Sequence, residues 1–241
     1  MLVTVHRAGP RGVERHPSMG PLTWAFAHVR ERGLLNTVKV AASAVADVTF
    51  DWRYGTSTSE KVNWDQLGST SQNLIHSRGY NATRARPLRA LLKMLELPSN
   101  GVFVDFGSGR GRALMIAALH GFRRIVGVEF SPALHESADR NIRTFLRATG
   151  LLAHIDLIHC DVTAYVIEAD QNVFFMFNPF DAVVMTTVLA NIRASIARAP
   201  RRVWLIYCTP WQHEVVEGSR LFKSQSLVEI GGCQFRVYTN G

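Results

Sequence analysis

Residues 101–112 read Gly-Val-Phe-Val-Asp-Phe-Gly-Ser-Gly-Arg-Gly-Arg, an apolar segment followed by regularly spaced glycines. An apolar run of strand type ends at Asp105 and Phe106, and glycines then stand at every second position, Gly107, Gly109 and Gly111. Glycine adopts positive φ readily and carries no Cβ, so backbone N–H groups in such a turn can approach a ligand closely. The stretch therefore predicts a strand that leads into a nucleotide-binding loop.

Two further strand ends support a nucleotide site. The apolar run 124–128 ends in Glu129, eighteen residues after Gly111, and a carboxylate offers two oxygens at the spacing of the ribose hydroxyls. A third short run, 155–158, is followed by Asp161, where an acceptor suits an adenine amine. Asp161 is equally suited to cap a helical turn that starts after it.

The order of the glycines argues against a dinucleotide. The dinucleotide pattern G-x-G-x-x-G needs its third glycine where this chain has Arg112. Asp105 would repel a pyrophosphate, whereas it suits a ligand with a cationic amine and no phosphates. A dinucleotide-dependent oxidoreductase nevertheless stays open as an alternative function, as does a binding protein without catalysis.

Together these strand ends resemble those of the class I S-adenosylmethionine (SAM) methyltransferases over roughly residues 80–210. The resemblance implies SAM as the cofactor, with Asp105 near its methionine amine and Glu129 at its ribose. It also implies that Asp161 and the backbone of Val162 meet the adenine. The loop residues expected to contact the cofactor are Gly107, Ser108, Gly109 and Gly111.

A fourth apolar run, 172–177, ends in Asn178-Pro179-Phe180. Ligands of doubly wound sheets bind outside the carboxyl ends of the strands, so we expect this tripeptide to face the same crevice as Asp105. The amide oxygen of Asn178 can accept from an N–H of the acceptor and so aim the nitrogen lone pair at a methyl group. Asn178 and Phe180, which can stack on a planar acceptor, are the predicted catalytic residues. The alternative is an Asn-Pro turn that only ends the strand.

The tripeptide resembles the Asn/Asp-Pro-Pro-aromatic motif of amino-methyltransferases, without its second proline. It also resembles the Asn-Asn-Phe of the non-SET histone-lysine methyltransferases, and Tyr80-Asn-Ala-Thr83 matches their Tyr-x-x-Thr at like spacing. That resemblance implies that Tyr80 and Thr83 contact the methionine part of SAM. It favours a nitrogen acceptor, a protein lysine or another amine. The segment from Asp51 to Thr58 resembles one in uncharacterised bacterial methyltransferases.

The alternation of elements predicts an α/β fold with a doubly wound, mostly parallel seven-stranded sheet and a C-terminal antiparallel hairpin. An N-terminal helical extension, with helices at about 22–32 and 34–49, precedes it. We expect residues 1–85 to form a tail, helices and a lid, and residues 86–241 to form the SAM-binding domain. Predicted strands are 101–106, 124–129, 155–159, 172–177, 202–208, 221–230 and 233–238; predicted helices of the second domain are 86–96, 111–119, 132–148 and 182–198.

Composition limits the partners. The net charge of +8 admits a nucleic-acid partner, but the 23 arginines are spread along the chain, so this partner is possible and not favoured. No run of about 18 apolar residues and no signal-type N-terminus is present, so we expect a cytoplasmic protein without membrane contact. The nine histidines and three cysteines are scattered, which predicts no metal site.

Overall fold

The computed structural model describes residues 49–63, 72–77 and 79–241, together with Val38 and Val45. The chain divides into two compact units, residues 1–38 and 39–241, and the fold below is that of the second. The predicted tail and the helix at 22–32 lie outside the described residues, as does most of the helix at 34–49. The domain boundary at residues 85 and 86 stays a prediction.

Seven strands of the described chain form one sheet, in the order β3-β2-β1-β4-β5-β7-β6. Parallel pairing joins β3, β2, β1, β4 and β5 in that order, whereas β7 pairs antiparallel with both β5 and β6. This confirms the predicted mostly parallel sheet and its terminal hairpin. The strands are β1 (Val102–Phe106), β2 (Arg124–Glu129), β3 (His154–His159), β4 (Gln171–Phe177), β5 (Trp204–Cys208), β6 (Ser224–Ile230) and β7 (Cys233–Thr239).

The helices between the strands follow the predicted alternation closely. They are α1 (Ala85–Met94), α2 (Arg112–His120), α3 (Pro132–Thr149), α4 (Ala182–Arg198) and α5 (His213–Gly218), of which the sequence did not predict α5. Ser131 caps α3 by accepting from the Leu134 amide, and Pro132 occupies the first turn, where its missing N–H costs nothing. Residues 49–54 are also helical, so the N-terminal helix extends beyond its predicted end at residue 49.

Both faces of the central strands are buried. Side chains of β1 alternate between two apolar clusters: Phe103 packs in one cluster with residues of α1, α2 and α3, and Val104 packs in the other with residues of α4 and α5. A strand covered on both faces is mostly apolar, which explains the apolar runs at 102–104 and 173–177. Helices on both faces make the sheet doubly wound.

The strand order reverses between β1 and β4, because the chain proceeds outward from β1 through β2 to β3 and then returns to β4. The carboxyl ends of β1, β2 and β4 therefore meet at one crevice, where α/β proteins of this type bind their ligands. Among the residues described, no helix has the length and apolar character needed to cross a bilayer.

Candidate active site

The glycine loop after β1 needs its glycines for two reasons. Gly107 and Gly109 have φ values of +83° and +55°, in the left-handed region that disfavours side chains. A Cβ on Gly107 would also lie 2.8 Å from Cβ of Pro179, and a Cβ on Gly109 would lie 2.2 Å from the ring of Tyr80. The loop is thus packed tightly between β4's end and Tyr80. Gly111, at φ +86°, directly precedes α2.

Glu129 ends β2 beside this loop and is buried. One of its carboxylate oxygens accepts from the Gly109 amide at 2.8 Å, and the other accepts from the Ser131 amide at 2.9 Å. Burial raises the pKa of Glu129, and hydrogen bonds from the backbone amides of Ser131, Gly109 and Phe130 oppose that shift. A carboxylate offers about four lone-pair positions, so Glu129 can still accept from a ligand hydroxyl beside these three amides.

Asp105, the second acid of the crevice, is buried near the end of β1. Burial raises the pKa of Asp105 well above its ordinary value, and the negative charge of Glu129 raises it further. A cation that binds between or beside two neighbouring carboxylates stabilises the ionised form of both. The arrangement is therefore suited to a positively charged ligand group.

A first cavity, with about 560 Å³ of empty space, opens beside these acids. Asp105 and six more of the predicted cofactor residues line it, together with residues from other parts of the chain. Its lining comprises Gly79, Tyr80, Asn81, Thr83, Asp105, Gly107, Ser108, Gly109, Arg112, Ala113, Glu129, Phe130, Leu134, Phe177 and Pro179. Of the predicted cofactor residues, Gly111, Asp161, Val162 and Asn178 do not line it.

A second cavity of about 390 Å³ shares Gly107, Phe130 and Pro179 with the first, so the two adjoin. It is mostly apolar, and it contains the predicted adenine residues Asp161 and Val162. The remaining lining residues are Asn73, Ser77, Val128, Cys160, Phe180 and Val184.

Asp161 performs the capping role that the sequence left open. One of its oxygens accepts from the amide and the hydroxyl of Thr163, at 2.9 and 2.7 Å, and so caps the 3₁₀ turn Val162–Ala164. Its other oxygen accepts from the Asn73 side-chain amide at 3.0 Å. These bonds hold the carboxylate at the rim of the second cavity.

Asn178 adopts φ +40° and is buried. Its amide oxygen accepts from the Tyr207 hydroxyl at 3.1 Å, and that hydroxyl accepts from the Gln212 amide at the same distance. Phe177 and Pro179 on either side line the first cavity, but Asn178 is in the lining of neither cavity. Phe180, which follows Pro179, lines the second cavity together with Asp161 and Val162. The sequence predicted instead that Phe180 stacks on the methyl acceptor.

Tyr80 and Thr83 line the first cavity, and their contact with the methionine part of SAM stays a prediction. The Tyr80 hydroxyl donates to the Thr58 carbonyl at 2.7 Å, and its ring lies against the glycine loop. Thr83 is buried. Among the described residues, no group of three or more His, Cys, Asp or Glu side chains has a geometry that could hold a metal ion.

A family described as "Methyltransferase domain" matches residues 76–201, just over half of the chain. This chain belongs to that methyltransferase family. With the strand order and the crevice described above, it is a class I SAM-dependent methyltransferase, an enzyme whose cofactor is SAM. Among curated proteins, none matches the sequence.

Solved structures of methyltransferases share the fold. A SAM-dependent methyltransferase from Aquifex aeolicus is similar over 63% of this chain and 88% of its own, with a TM-score of 0.50 and 15% identity. The pyocyanin biosynthetic protein PhzM is similar over 64% of this chain and 54% of its own, with a TM-score of 0.51 and 15% identity. An RNA methyltransferase from Salinibacter ruber, solved with S-adenosylhomocysteine, is similar over 64% and 90%, with a TM-score of 0.44 and 19% identity.

The family membership removes the oxidoreductase alternative, and the structure of this methyltransferase supplies a physical reason. Arg112 stands where a dinucleotide-binding loop would have its third glycine. It is buried and forms an ion pair with Asp51 at 3.0 Å. Its charge is therefore already neutralised within the protein. The two carboxylates of the first cavity, by contrast, carry the charge that a ligand meets.

Sequence reasoning missed several residues that line the methyltransferase crevice. Phe130 lines both cavities, and its position directly after Glu129 is a local signal for it. Asn73 had no local signal, because it lies 88 residues from the Asp161 that it contacts. Asp51 and Thr58 belong to the region expected to form a tail, helices and a lid, although Thr58 is fully buried.

Proposed function

We propose that this methyltransferase transfers the methyl group of SAM to a nitrogen, that of a protein lysine or another amine. The observation that carries the proposal is a polar side chain, Asn178, at the end of β4, followed by Pro179, which lines the cavity with the two acids. A hydrogen-bond acceptor at this strand end can hold an N–H of the methyl acceptor and orient its lone pair, and the amide oxygen of Asn178 is such a group.

The cofactor residues are proposed from the two cavities. Asp105 pairs with the ammonium of the methionine part, and residues 107–109, which line the first cavity, contact the methionine part and ribose. The remaining lone-pair capacity of the Glu129 carboxylate accepts from the ribose. The second cavity takes the adenine, with Asp161 and the Val162 backbone at its polar edge.

Phe180 belongs to this adenine cavity in our proposal. It is buried, and it lines the second cavity opposite residues of the glycine loop and of β2's end. An aromatic wall suits a planar base, since adenine then exchanges water for apolar contact. We therefore assign Phe180 to cofactor binding and leave Asn178 as the residue proposed for catalysis.

Asn178 is held ready for that role by Tyr207. The hydrogen bond from Tyr207 occupies one lone pair of the amide oxygen and leaves the second available to the acceptor's N–H. SAM supplies an electrophilic methyl group on a sulfonium. Asn178 would orient the acceptor's nitrogen lone pair toward that methyl group, and the proton lost by the acceptor would pass to solvent. The enzyme's contribution is alignment and exclusion of water.

Part of the segment 51–85 is proposed to act as a lid over the cofactor. Residues 51–59 and Tyr80 are already held by hydrogen bonds, so we assign the moving part to residues 72–77, which carry Asn73 and Ser77 of the second cavity. Amide hydrogen exchange with and without S-adenosylhomocysteine is the test. We expect slower exchange across 72–77 with the ligand and equal exchange across 51–59; equal exchange in both segments would contradict the lid.

The function itself is tested in two steps. Calorimetric titration with SAM, S-adenosylhomocysteine, NAD and NADP should show binding of the first two alone. Incubation of the enzyme with labelled SAM and a cell lysate, followed by protease or nuclease digestion, then identifies the acceptor class. Label in N-methyl-lysine or in a small amine supports the proposal. Label in nucleic acid or on oxygen would contradict the lysine or amine assignment while keeping the transferase activity. Cytoplasmic localisation stays a prediction.

A further inference from the structure

Residues 51–59 fold around the side chain of Asp51. Its Oδ1 accepts from the hydroxyls of Thr56 and Thr58 at 2.8 and 2.7 Å. Its Oδ2 accepts from the Thr58 amide at 3.0 Å and from the Ser59 hydroxyl at 2.6 Å. Burial alone would raise the pKa of Asp51, but the hydrogen bonds from Ser59, Thr58 and Thr56 lower it overall. Hydrogen bonds from the protein itself thus stabilise Asp51 as an anion.

Arg112 joins this anion to the start of α2, directly after the glycine loop. Its Nη2 donates to Asp51 Oδ2 at 3.0 Å and to the Ser59 hydroxyl at 2.7 Å, and its Nε donates to the Thr58 hydroxyl at 2.6 Å. The side chain is only 2% exposed, and its guanidinium lies 5.3 Å from the centre of the Phe50 ring. A buried guanidinium is tolerated only when it is paired in this way. We call Asp51, Thr58, Ser59 and Arg112 the clamp.

Contacts extend from the clamp to the glycine loop along two routes. The Thr58 carbonyl accepts from Tyr80, whose ring lies against Gly109. Asn141 of α3 accepts from the Ser57 amide at 2.9 Å and donates to the Arg110 carbonyl at 3.1 Å. Two successive loop residues, 109 and 110, are therefore held through residues 57 and 58.

A loop with three glycines at positive φ needs such support. Glycine loses more conformational freedom on ordering than any other residue, and a loop that orders only when ligand binds subtracts that cost from affinity. We propose that Asp51, Thr58 and Arg112 are positioning residues, which hold the glycine loop and Tyr80 in the geometry that binds SAM. The proposal rests on the SAM site proposed above, and it assigns a role in cofactor affinity to residues that do not form the polar contacts proposed for the cofactor.

The test measures the Kd of S-adenosylhomocysteine by calorimetry on the full chain, together with the midpoint of thermal unfolding. The variants are Asp51→Asn, which removes the charge at constant shape, Thr58→Val, which removes the shared hydroxyl, and Arg112→Lys, which keeps the charge without the fork. Tyr80→Phe removes only the hydroxyl bond to Thr58. The matched control is Asp139→Asn, which breaks the exposed ion pair with Arg143 at 3.0 Å on α3.

We expect Asp51→Asn and Thr58→Val to raise the Kd about tenfold or more, Arg112→Lys to lie between them and wild type, and Tyr80→Phe to raise it about threefold. The control should stay within about twofold of wild type, as exposed ion pairs contribute little. These shifts in Kd are measured on folded protein, and a purely structural role would not produce them.

Several results would overturn the clamp's role. Folded variants with lowered unfolding midpoints and wild-type Kd values would assign the clamp to stability alone. If the clamp variants fail to fold and the Tyr80→Phe protein binds S-adenosylhomocysteine like wild type, the clamp is likewise assigned to stability alone. A wild-type chain that binds neither SAM nor S-adenosylhomocysteine would instead contradict the proposed function, so the two failures are distinguishable.

Discussion

The two adjoining cavities differ in charge more than in size. The first contains two buried carboxylates, Asp105 and Glu129. The second has one carboxylate at its rim, Asp161, whose oxygens accept from Thr163 and Asn73, and its other walls are mainly apolar: Val128, Phe130, Val162, Phe180 and Val184. A ligand that fills both must be cationic at one end and flat and apolar at the other. SAM has that asymmetry, so the difference between the cavities predicts its orientation. It also predicts that substitutions in the two cavities will have effects of different size and different pH dependence.

The largest expected effect is that of Asp105→Asn. Removing one partner of a buried charge pair costs about 2–4 kcal/mol, so SAM affinity should fall roughly 30- to 1,000-fold. Calorimetry at pH 7.5 measures this effect, and the neutral ligand adenosine, which lacks the ammonium, is the control. If the variant loses affinity for adenosine to the same extent, Asp105 does not pair with the cationic end.

The same substitution should raise stability. The folded-state pKa of Asp105 lies well above the unfolded value near 3.8, so folded protein binds the proton more tightly and its stability falls as pH rises through that window. Above the window, Asp105→Asn should unfold at higher denaturant than wild type, and near pH 4 the difference should vanish. Wild-type SAM affinity should fall as pH is lowered through the same window. Equal denaturation midpoints for variant and wild type at pH 7.5 would contradict this account of the pKa.

Asn178→Ala should leave the affinity for S-adenosylhomocysteine nearly unchanged and lower kcat about 100-fold, because its contact forms with the acceptor. Single-turnover rates on the identified acceptor measure the effect. Tyr207→Phe is the matched variant, since it removes the hydroxyl that donates to the Asn178 oxygen and accepts from the Gln212 amide but leaves Asn178 in place, and it should lower kcat by a smaller factor. An Asn178→Ala enzyme with wild-type kcat would show that Asn178 only ends the strand.

Glu129→Ala should weaken SAM binding by about 1.5–3 kcal/mol, because hydrogen bonds to the ribose and to Gly109 are both lost. Glu129→Gln keeps the shape and one acceptor oxygen, so it should bind more tightly than the alanine variant. Both are compared by calorimetry after thermal unfolding has shown that they are folded. Unchanged affinity in folded Glu129→Ala would remove Glu129 from the cofactor site.

The smallest effect is expected in the apolar cavity. Phe180→Leu keeps an apolar wall and loses only the flat contact with adenine, so affinity should fall by about 1 kcal/mol and should not vary with pH between 6 and 8. Titration at both pH values tests this. A loss of kcat at saturating SAM with unchanged affinity would return Phe180 to the acceptor side.

Local signals predicted the fold well because each element is encoded by nearby residues. The apolar run before Asp105 gave β1 to within one residue, and Ser131-Pro132 placed the start of α3 correctly. The short helix α5 was missed, since its six residues lack a long apolar period. The N-terminal helix was expected to end at residue 49, but Phe50 and Tyr54 pack in the core and the helix continues to residue 54.

The class of this protein could be predicted from its sequence, because the glycine loop, the acids at two strand ends and the alternation of strands and helices are local patterns with a local physical cause. The tertiary structure was needed to show which distant residues share a site. It paired Asp51 with Arg112 across 61 positions, placed Asn73 on Asp161, and put Phe180 in the second cavity. Such pairs depend on how the chain returns across the sheet's carboxyl edge, and the energy of each contact exists only once both partners are buried together.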